Sequence, residues 1–347
     1  MTATSFSIKN IKPKAVRLPE VSLVKTGALP GGGRLPLVIE PDADDVDLVE
    51  WSTNNKDLVE TKLVAHGALL FRNFKLSLIP DFERFAMSLC PVLFNDNGEH
   101  PRQNVSGNVY TPVFYPSEKK ILWHNENSFN HQWPLKIWFA CVQPAAEGGE
   151  TPIVDSRKVY EFLDPEIRET FAAKQIMYVR NYGKGPGLEW QTVFNTTDKA
   201  EVERRCRTSR MDFEWTTNDG LRTSAVRPAV IAHPQTGEMS WFNQAQHWHL
   251  SCLDQATRKS LTSVFAERDL PRNCYYGDGS PIEDAVMNEI LALYQRLEVS
   301  FSWRRNDIML LDNVLTAHAR NSFAGKRKLL VAMGEMLTYA EAHHESD

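Results

Sequence analysis

The chain has 347 residues, 42% of them apolar and 24% charged, which excludes a mainly disordered protein and allows one large core or two smaller ones. Its net charge of −5 argues against nucleic acid as the main partner, because phosphate binding needs a basic face. No apolar run reaches the roughly 20 residues that span a bilayer. The five scattered cysteines (Cys90, Cys141, Cys206, Cys252, Cys274) contain no CxxC pair, so a reducing, cytoplasmic location is the simplest expectation.

Residues 1–34 read as an irregular N-terminal segment, broken by Pro13, Pro19, Pro30 and Gly31-Gly32-Gly33. The first residues are hydroxyl-rich and carry Lys9, Lys12, Lys14 and Arg17 before any acid; a short basic frayed terminus is expected, with an organelle transit peptide as the alternative. Leu35 to Ile39 predicts a strand, about 45–65 a helix ended by His66-Gly67, and Ala68 to Arg72 a buried strand. Asp81 to Leu89 predicts a second helix with Phe82, Phe85 and Leu89 on one side.

From about residue 104 the chain is strand-rich, with Lys136 to Val142 as a long β-type segment. Ser156 to Lys174 reads as helical with a break near Asp164-Pro165, and Gln175 to Arg180 as a strand. A helix is expected near 198–209. Val226–His233 and Met239–Asn243 form a strand–turn–strand, and helices follow over about 254–268 and 282–297. Strands close the chain near 299–303, 307–311 and 329–336, and residues 338–347 read as a polar tail. Many short strands with inserted helices predict a mainly β (α+β) fold, a double-stranded β-helix or jelly roll. GxGxxG and GxxxxGK[ST] are both missing, and there is no run of βαβ units.

The chemistry centres on Trp123-His124-Asn125-Glu126. In an extended strand, residues i and i+2 share a face, so His124 and Glu126 would present an imidazole beside a carboxylate. That pair is two-thirds of a 2-His-1-carboxylate iron(II) site. Alone it is a weak signal, equally readable as a polar strand face, but the bulky neighbours Trp123 and Phe129 suggest a lined cavity. The best-placed third ligand is His318, just after the apolar strand Ile308–Leu311 and the pair Asp312-Asn313. His247 and His249 also have i, i+2 spacing but no acid beside them, so His247 is placed at most on the cavity wall. His66, His100, His131 and His233 read as ordinary turn or strand-end residues, and His343 and His344 as part of the tail. Arg327 could bind a carboxylate through its guanidinium fork, or be a surface charge in Lys326-Arg327-Lys328; spacing does not separate the two.

Taken together, His124-x-Glu126, Gly148-Gly149-Glu150-Thr151-Pro152, Trp241-Phe242-Asn243-Gln244, Asp312-Asn313…His318-x-Arg320 and Arg327 resemble the TauD/TfdA-type iron(II)/2-oxoglutarate oxygenases, especially clavaminate-synthase-like proteins and syringomycin-pathway hydroxylases. Gly67 to Phe74 extends the likeness, which covers about 35–337 as a single expected domain. The resemblance implies that His124, Glu126 and His318 hold Fe(II). It implies that Arg327 and Thr151 hold the distal carboxylate of 2-oxoglutarate, and that Asn243, Gln244 and Arg320 lie near the substrate. Asn306-Asp307 stands where the family usually has Gly-Asp, which asparagine tolerates because it can adopt positive φ. The second arginine of some members is Val331 here, so contacts to the 1-carboxylate must come from elsewhere or from the metal alone.

The implied reaction consumes O2 and 2-oxoglutarate, releases succinate and CO2, and hydroxylates a small molecule. The resemblance points to an amino acid, free or tethered to a carrier protein, in specialised metabolism. Arg320 and Arg102 are candidate partners of a substrate carboxylate, or structural ion pairs. The alternatives are desaturation or epoxidation at the same iron site, and a non-catalytic jelly-roll binding protein. Related halogenases lack the carboxylate, so Glu126 predicts no halogenation.

Overall fold

The computed structural model describes residues 23–31, 33–94, 103–183 and 187–342. The transit-peptide reading of residues 1–17, and Arg102, His100, His343 and His344, fall outside them.

Hydrophobic alternation builds the centre. An eight-stranded sheet runs in the order Val24–Gly27, Leu37–Pro41, Ala68–Phe71, Ile308–Asp312, Gln132–Gln143, Lys328–Thr338, Val109–Tyr110, Asn104–Ser106. All its pairings are antiparallel except Leu37–Pro41 with Ala68–Phe71. Trp138 and Ala140, with Leu310, Leu330 and Ala332, face the helices Leu48–Asn54, Lys56–His66 and Leu78–Leu89. Ile137, Phe139 and Cys141, with Met309, Leu311, Val331 and Met333, face the other way. Both faces are buried because each successive side chain crosses the sheet and each side is covered.

A smaller sheet, Ile121–His124, Thr316–Arg320 and Ile153–Asp155, forms the second layer. Its Trp123, Val154, Ala317 and Ala319 pack outward on Ser156–Phe162, Pro165–Lys174 and Asp284–Leu297. Its Ile153 joins the inner face of the large sheet, and His318 lies 5.2 Å from Phe139, ring centroid to ring centroid. Two facing sheets with helices outside are the jelly roll that the patterning predicts.

Several elements depart from expectation. The helix expected over 45–65 is two helices, because the Asn55 amide turns back to the Trp51 carbonyl (2.9 Å) and the backbone leaves helical geometry there. Helix Leu78–Leu89 starts before Asp81, since Pro80 is tolerated in a first turn. Part of the N-terminal segment read as irregular is strand Val24–Gly27, paired along its length with Leu37–Pro41. Residues 299–303 contribute only an isolated bridge, Val299 to Ile153, rather than a strand. The expected polar tail begins with strand residue Thr338 and helix Tyr339–Ala342. Tyr339 is buried against Trp133 and Phe242 and donates a hydrogen bond to the Ser128 carbonyl.

Candidate iron and 2-oxoglutarate site

His124 ends its strand, and His318 is its direct partner on the neighbouring antiparallel strand. Their ring centroids are 4.3 Å apart. Glu126 Oε2 lies 3.4 Å from His124 Nε2 and 3.6 Å from His318 Nε2. One ligand atom from each residue fits within a 4.8 Å cluster, the single such group of histidine, cysteine and carboxylate side chains among the described residues. The Leu122 carbonyl lies 2.9 Å from His124 Nδ1. A carbonyl only accepts, so Nδ1 carries the proton and Nε2 presents its lone pair to the cluster. The donor set and its convergence fit a divalent iron with open positions.

Glu126 does not reach the histidines by strand alternation. The strand ends at His124, and Glu126 lies in the following turn, which needs a positive φ of 58° at Asn127. The turn is held by Asn313, whose side chain accepts from Glu126 N (2.7 Å) and donates to Glu126 O (3.0 Å) and Pro134 O (2.8 Å). Asn125 Nδ2 returns a bond to the Asn313 carbonyl (2.7 Å). Sequence reasoning placed Asn313 beside the histidine strand without giving it this role. A turn-forming Asp312-Asn313 pair directly after the apolar strand Ile308–Leu311 and before Val314-Leu315 was the available signal.

The segment after Phe242 stitches the back of the ligand strand. Gln244 Nε2 donates to Asn125 O (2.8 Å), Gln246 Nε2 to Trp123 O, and His247 Nε2 lies 2.8 Å from Leu122 O. Asn243 is fully buried and spends its amide on Ala229 O and Ala245 N. Asn243 and Gln244 therefore support backbone rather than meeting substrate through these groups. His247 lies 4.4 Å from the His124 ring; burial first, then the His124 imidazole and the Arg272 guanidinium, hold its pKa well below the ordinary value. His249 is engaged by Ser251 and the Ile282 carbonyl, away from any metal role. His233 is more than a strand-end residue: it is buried, its Nε2 donates to Asp312 Oδ2 (2.9 Å), and Asp312 Oδ1 accepts from Val314 N and Leu315 N. That buried pair fixes the turn into the His318 strand.

A second cluster gathers Thr151, Trp303 and Arg327. Arg327 Nε donates to the Gly149 carbonyl (2.8 Å), and its Nη2 approaches Thr151 Oγ1 (3.4 Å). Trp303 Nε1 also donates to Thr151 Oγ1 (3.0 Å). With two donors directed at this oxygen, the hydroxyl proton is left to donate elsewhere. Burial, and then the nearby Arg320 guanidinium, lower the Arg327 pKa to about 10. Arg327 has no ion-pair partner among the described residues. A desolvated cation beside a free hydroxyl donor is a receptor for a carboxylate. Trp303 is buried, so its ring packs in the core while its polar edge serves the cluster. Arg320 is turned to other work: its guanidinium donates to the Tyr115, Pro116 and Lys119 carbonyls and holds that loop.

The chain is similar to several known proteins. The chain is 33% identical over 326 residues to the dapdiamide synthesis protein DdaC of Enterobacter agglomerans, covering 93% of this chain and 94% of that protein. It is 28% identical over 322 residues to a clavaminate synthase-like protein of Arabidopsis thaliana, covering 86% and 93%. Among solved structures, PvcB of Pseudomonas aeruginosa superposes with a TM-score of 0.53 at 16% identity, over 94% of each chain, a likeness of fold. The model of the taurine catabolism dioxygenase TauD, TfdA family matches residues 31–333. The chain therefore belongs to that family and is an iron- and 2-oxoglutarate-dependent dioxygenase.

Proposed function

We propose that the protein hydroxylates an unactivated carbon of a small amino-acid-like substrate, with His124, Glu126 and His318 holding Fe(II) and Arg327 and Thr151 holding 2-oxoglutarate. The observation that carries this reading is the coexistence of two prepared sites: a His–Glu–His cluster within 4.8 Å, and an arginine with no ion-pair partner among the described residues beside a threonine hydroxyl. Bound iron with 2-oxoglutarate supplies the O2 activation and oxidising power for C–H cleavage.

The chain's own residues supply the rest. Leu122 O accepts from His124 Nδ1 and lies against His247 Nε2, and the His247 ring packs on the His124 ring, so the His124 lone pair stays aimed at the cluster. Asn313 sets the Glu126 backbone, and the carboxylate offsets part of the metal charge. Arg327 offers a guanidinium face and Thr151 an O–H to the distal carboxylate, orienting the cosubstrate. Phe139 packs against His318 and keeps that side of the site apolar.

An amino acid is supported by the kinship to the dapdiamide synthesis protein. Whether it enters free or on a carrier is decided by presenting each candidate both ways. No helix among the described residues is long and apolar enough to cross a membrane, and all five cysteines are free, which supports a cytoplasmic enzyme. Anaerobic addition of Fe(II) and 2-oxoglutarate should give a weak visible charge-transfer band that His124→Ala abolishes. Succinate release across a panel of free and carrier-bound amino acids then identifies the substrate; a product heavier by one oxygen is a hydroxylation or epoxidation product, and its NMR spectrum separates the two. A missing band in the wild-type protein refutes the proposal. A product lighter by two hydrogens shifts it to desaturation.

A further inference from the structure

Arg180 and Arg272 face each other across two antiparallel strands, Ile176–Tyr182 and Arg272–Tyr276, as direct Cα partners. Like charges placed opposite one another destabilise a sheet. Arg180 is accommodated by aromatic faces: its guanidinium lies 4.9 Å from the Trp248 ring and 5.8 Å from those of Phe129 and Tyr182. Arg272 is part-buried and has no such support. Its guanidinium makes no ion pair, hydrogen bond or ring contact with any described residue. Burial, and then the Arg180 charge, disfavour its protonated form, while the Tyr115 phenol and the Cys274 thiol favour it only weakly.

The pair is linked to the iron cluster. Helix Ala245–Trp248 packs on both the His124 strand and the Arg272 strand. Its His247 ring touches His124 and feels the Arg272 charge. Its Trp248 lies against the Arg180 guanidinium. Through His247 and Trp248 a single helix thus separates the cationic pair from the ligand histidine His124, apart from the Arg327–Thr151 cluster, whose elements lie in the Gly149 turn and the Lys328–Thr338 strand entry.

Resting on the oxygenase reading above, we propose that Arg272, with Arg180 beside it, binds a free carboxylate of the substrate. The bound anion offsets the like-charge repulsion and satisfies the Arg272 fork, and the aromatic faces of Phe129 and Trp248 flank the remainder of the molecule. The substrate is then an acid that keeps a carboxylate ionised in the site. An amino acid attached to a carrier through its only carboxyl group lacks this handle.

The test is titration calorimetry of the full chain, loaded anaerobically with Fe(II) and 2-oxoglutarate. The probes are free α-amino acids and short dicarboxylic acids, each with its methyl ester. At least one acid should bind tenfold or more tightly than its ester. Arg272→Gln should weaken that acid about tenfold to a hundredfold and remove the preference, and Arg272→Lys should restore part of it. The Fe(II)·2-oxoglutarate band and its 2-oxoglutarate midpoint should be unchanged in both variants, which also shows that they fold. Esters bound as well as acids, no acid bound, or an acid preference kept by Arg272→Gln overturns the proposal. So does a weakened 2-oxoglutarate midpoint in Arg272→Gln, which assigns Arg272 to the cosubstrate. The band in the wild-type protein reports separately on the oxygenase reading.

Discussion

Asn313 grips Glu126 at both ends of its peptide: the side-chain oxygen accepts from Glu126 N at 2.7 Å, and the amide donates to Glu126 O at 3.0 Å. The two residues are 187 positions apart in the chain. Asn313→Ala leaves buried backbone groups unsatisfied and should cost roughly 2–4 kcal/mol of stability. With the turn released, iron affinity should fall about 10–100-fold, as it does when residues supporting metal ligands are removed. Denaturant unfolding and an anaerobic Fe(II) titration measure the two effects. Unchanged iron affinity would show that the turn holds without its clamp.

Gly149 and Arg327 are packed so closely that a Cβ on Gly149 would lie 2.9 Å from Arg327 Cδ and 3.1 Å from its Nε, at a backbone φ of +74°. Gly149→Ala should therefore displace the guanidinium and weaken 2-oxoglutarate about tenfold, and Arg327→Ala should weaken it about 10–100-fold. Iron binding in the absence of 2-oxoglutarate should be unaffected in both. The 2-oxoglutarate dependence of the visible band separates these effects.

Arg72 and Asp307 form a buried two-point ion pair, Nε to Oδ1 at 3.0 Å and Nη2 to Oδ2 at 2.6 Å, and Arg304 N also donates to Asp307 Oδ2. Asp307→Ala leaves a buried guanidinium uncompensated and should cost roughly 3–5 kcal/mol. Beside it, Asn306 has a φ of 70°, as the sequence comparison with Gly-Asp anticipated. Asn306→Gly should be close to neutral and Asn306→Val should cost roughly 1–2 kcal/mol or more. Urea unfolding of the three variants ranks them.

The thiols should be inert in the native protein. Burial pushes the Cys141 pKa to about 12 and those of Cys206 and Cys252 to about 11, with Cys90 and Cys274 also raised. A raised thiol pKa means less thiolate at a given pH, so at pH 8 a group with pKa 11 is about one part in a thousand thiolate, against roughly a quarter for an ordinary cysteine. Ellman's reagent at pH 8 should titrate all five only after denaturation. Rapid reaction of the native protein would place a thiol at the surface.

The sequence by itself determined the donor chemistry and the frame. The alternation Ile137-Trp138-Phe139-Ala140-Cys141 specifies a sheet buried on both faces, and His124, Glu126 and His318 carry the donor types of an iron site, whereas Thr151 and Arg327 read as a carboxylate receptor only through the family resemblance. Those signals are local or are carried by motifs, so they survive without coordinates. Only the tertiary structure decided how the parts meet. Strand pairing set His124 opposite His318. A turn gripped by Asn313, rather than strand alternation, delivered Glu126. Gln244 and His247 went to the back of the ligand strand, Arg320 went to a loop, and Arg180 was set against Arg272 across a ladder. Each of these depends on which backbone carbonyl or strand lies within hydrogen-bond reach, and that follows from packing between segments far apart in the chain.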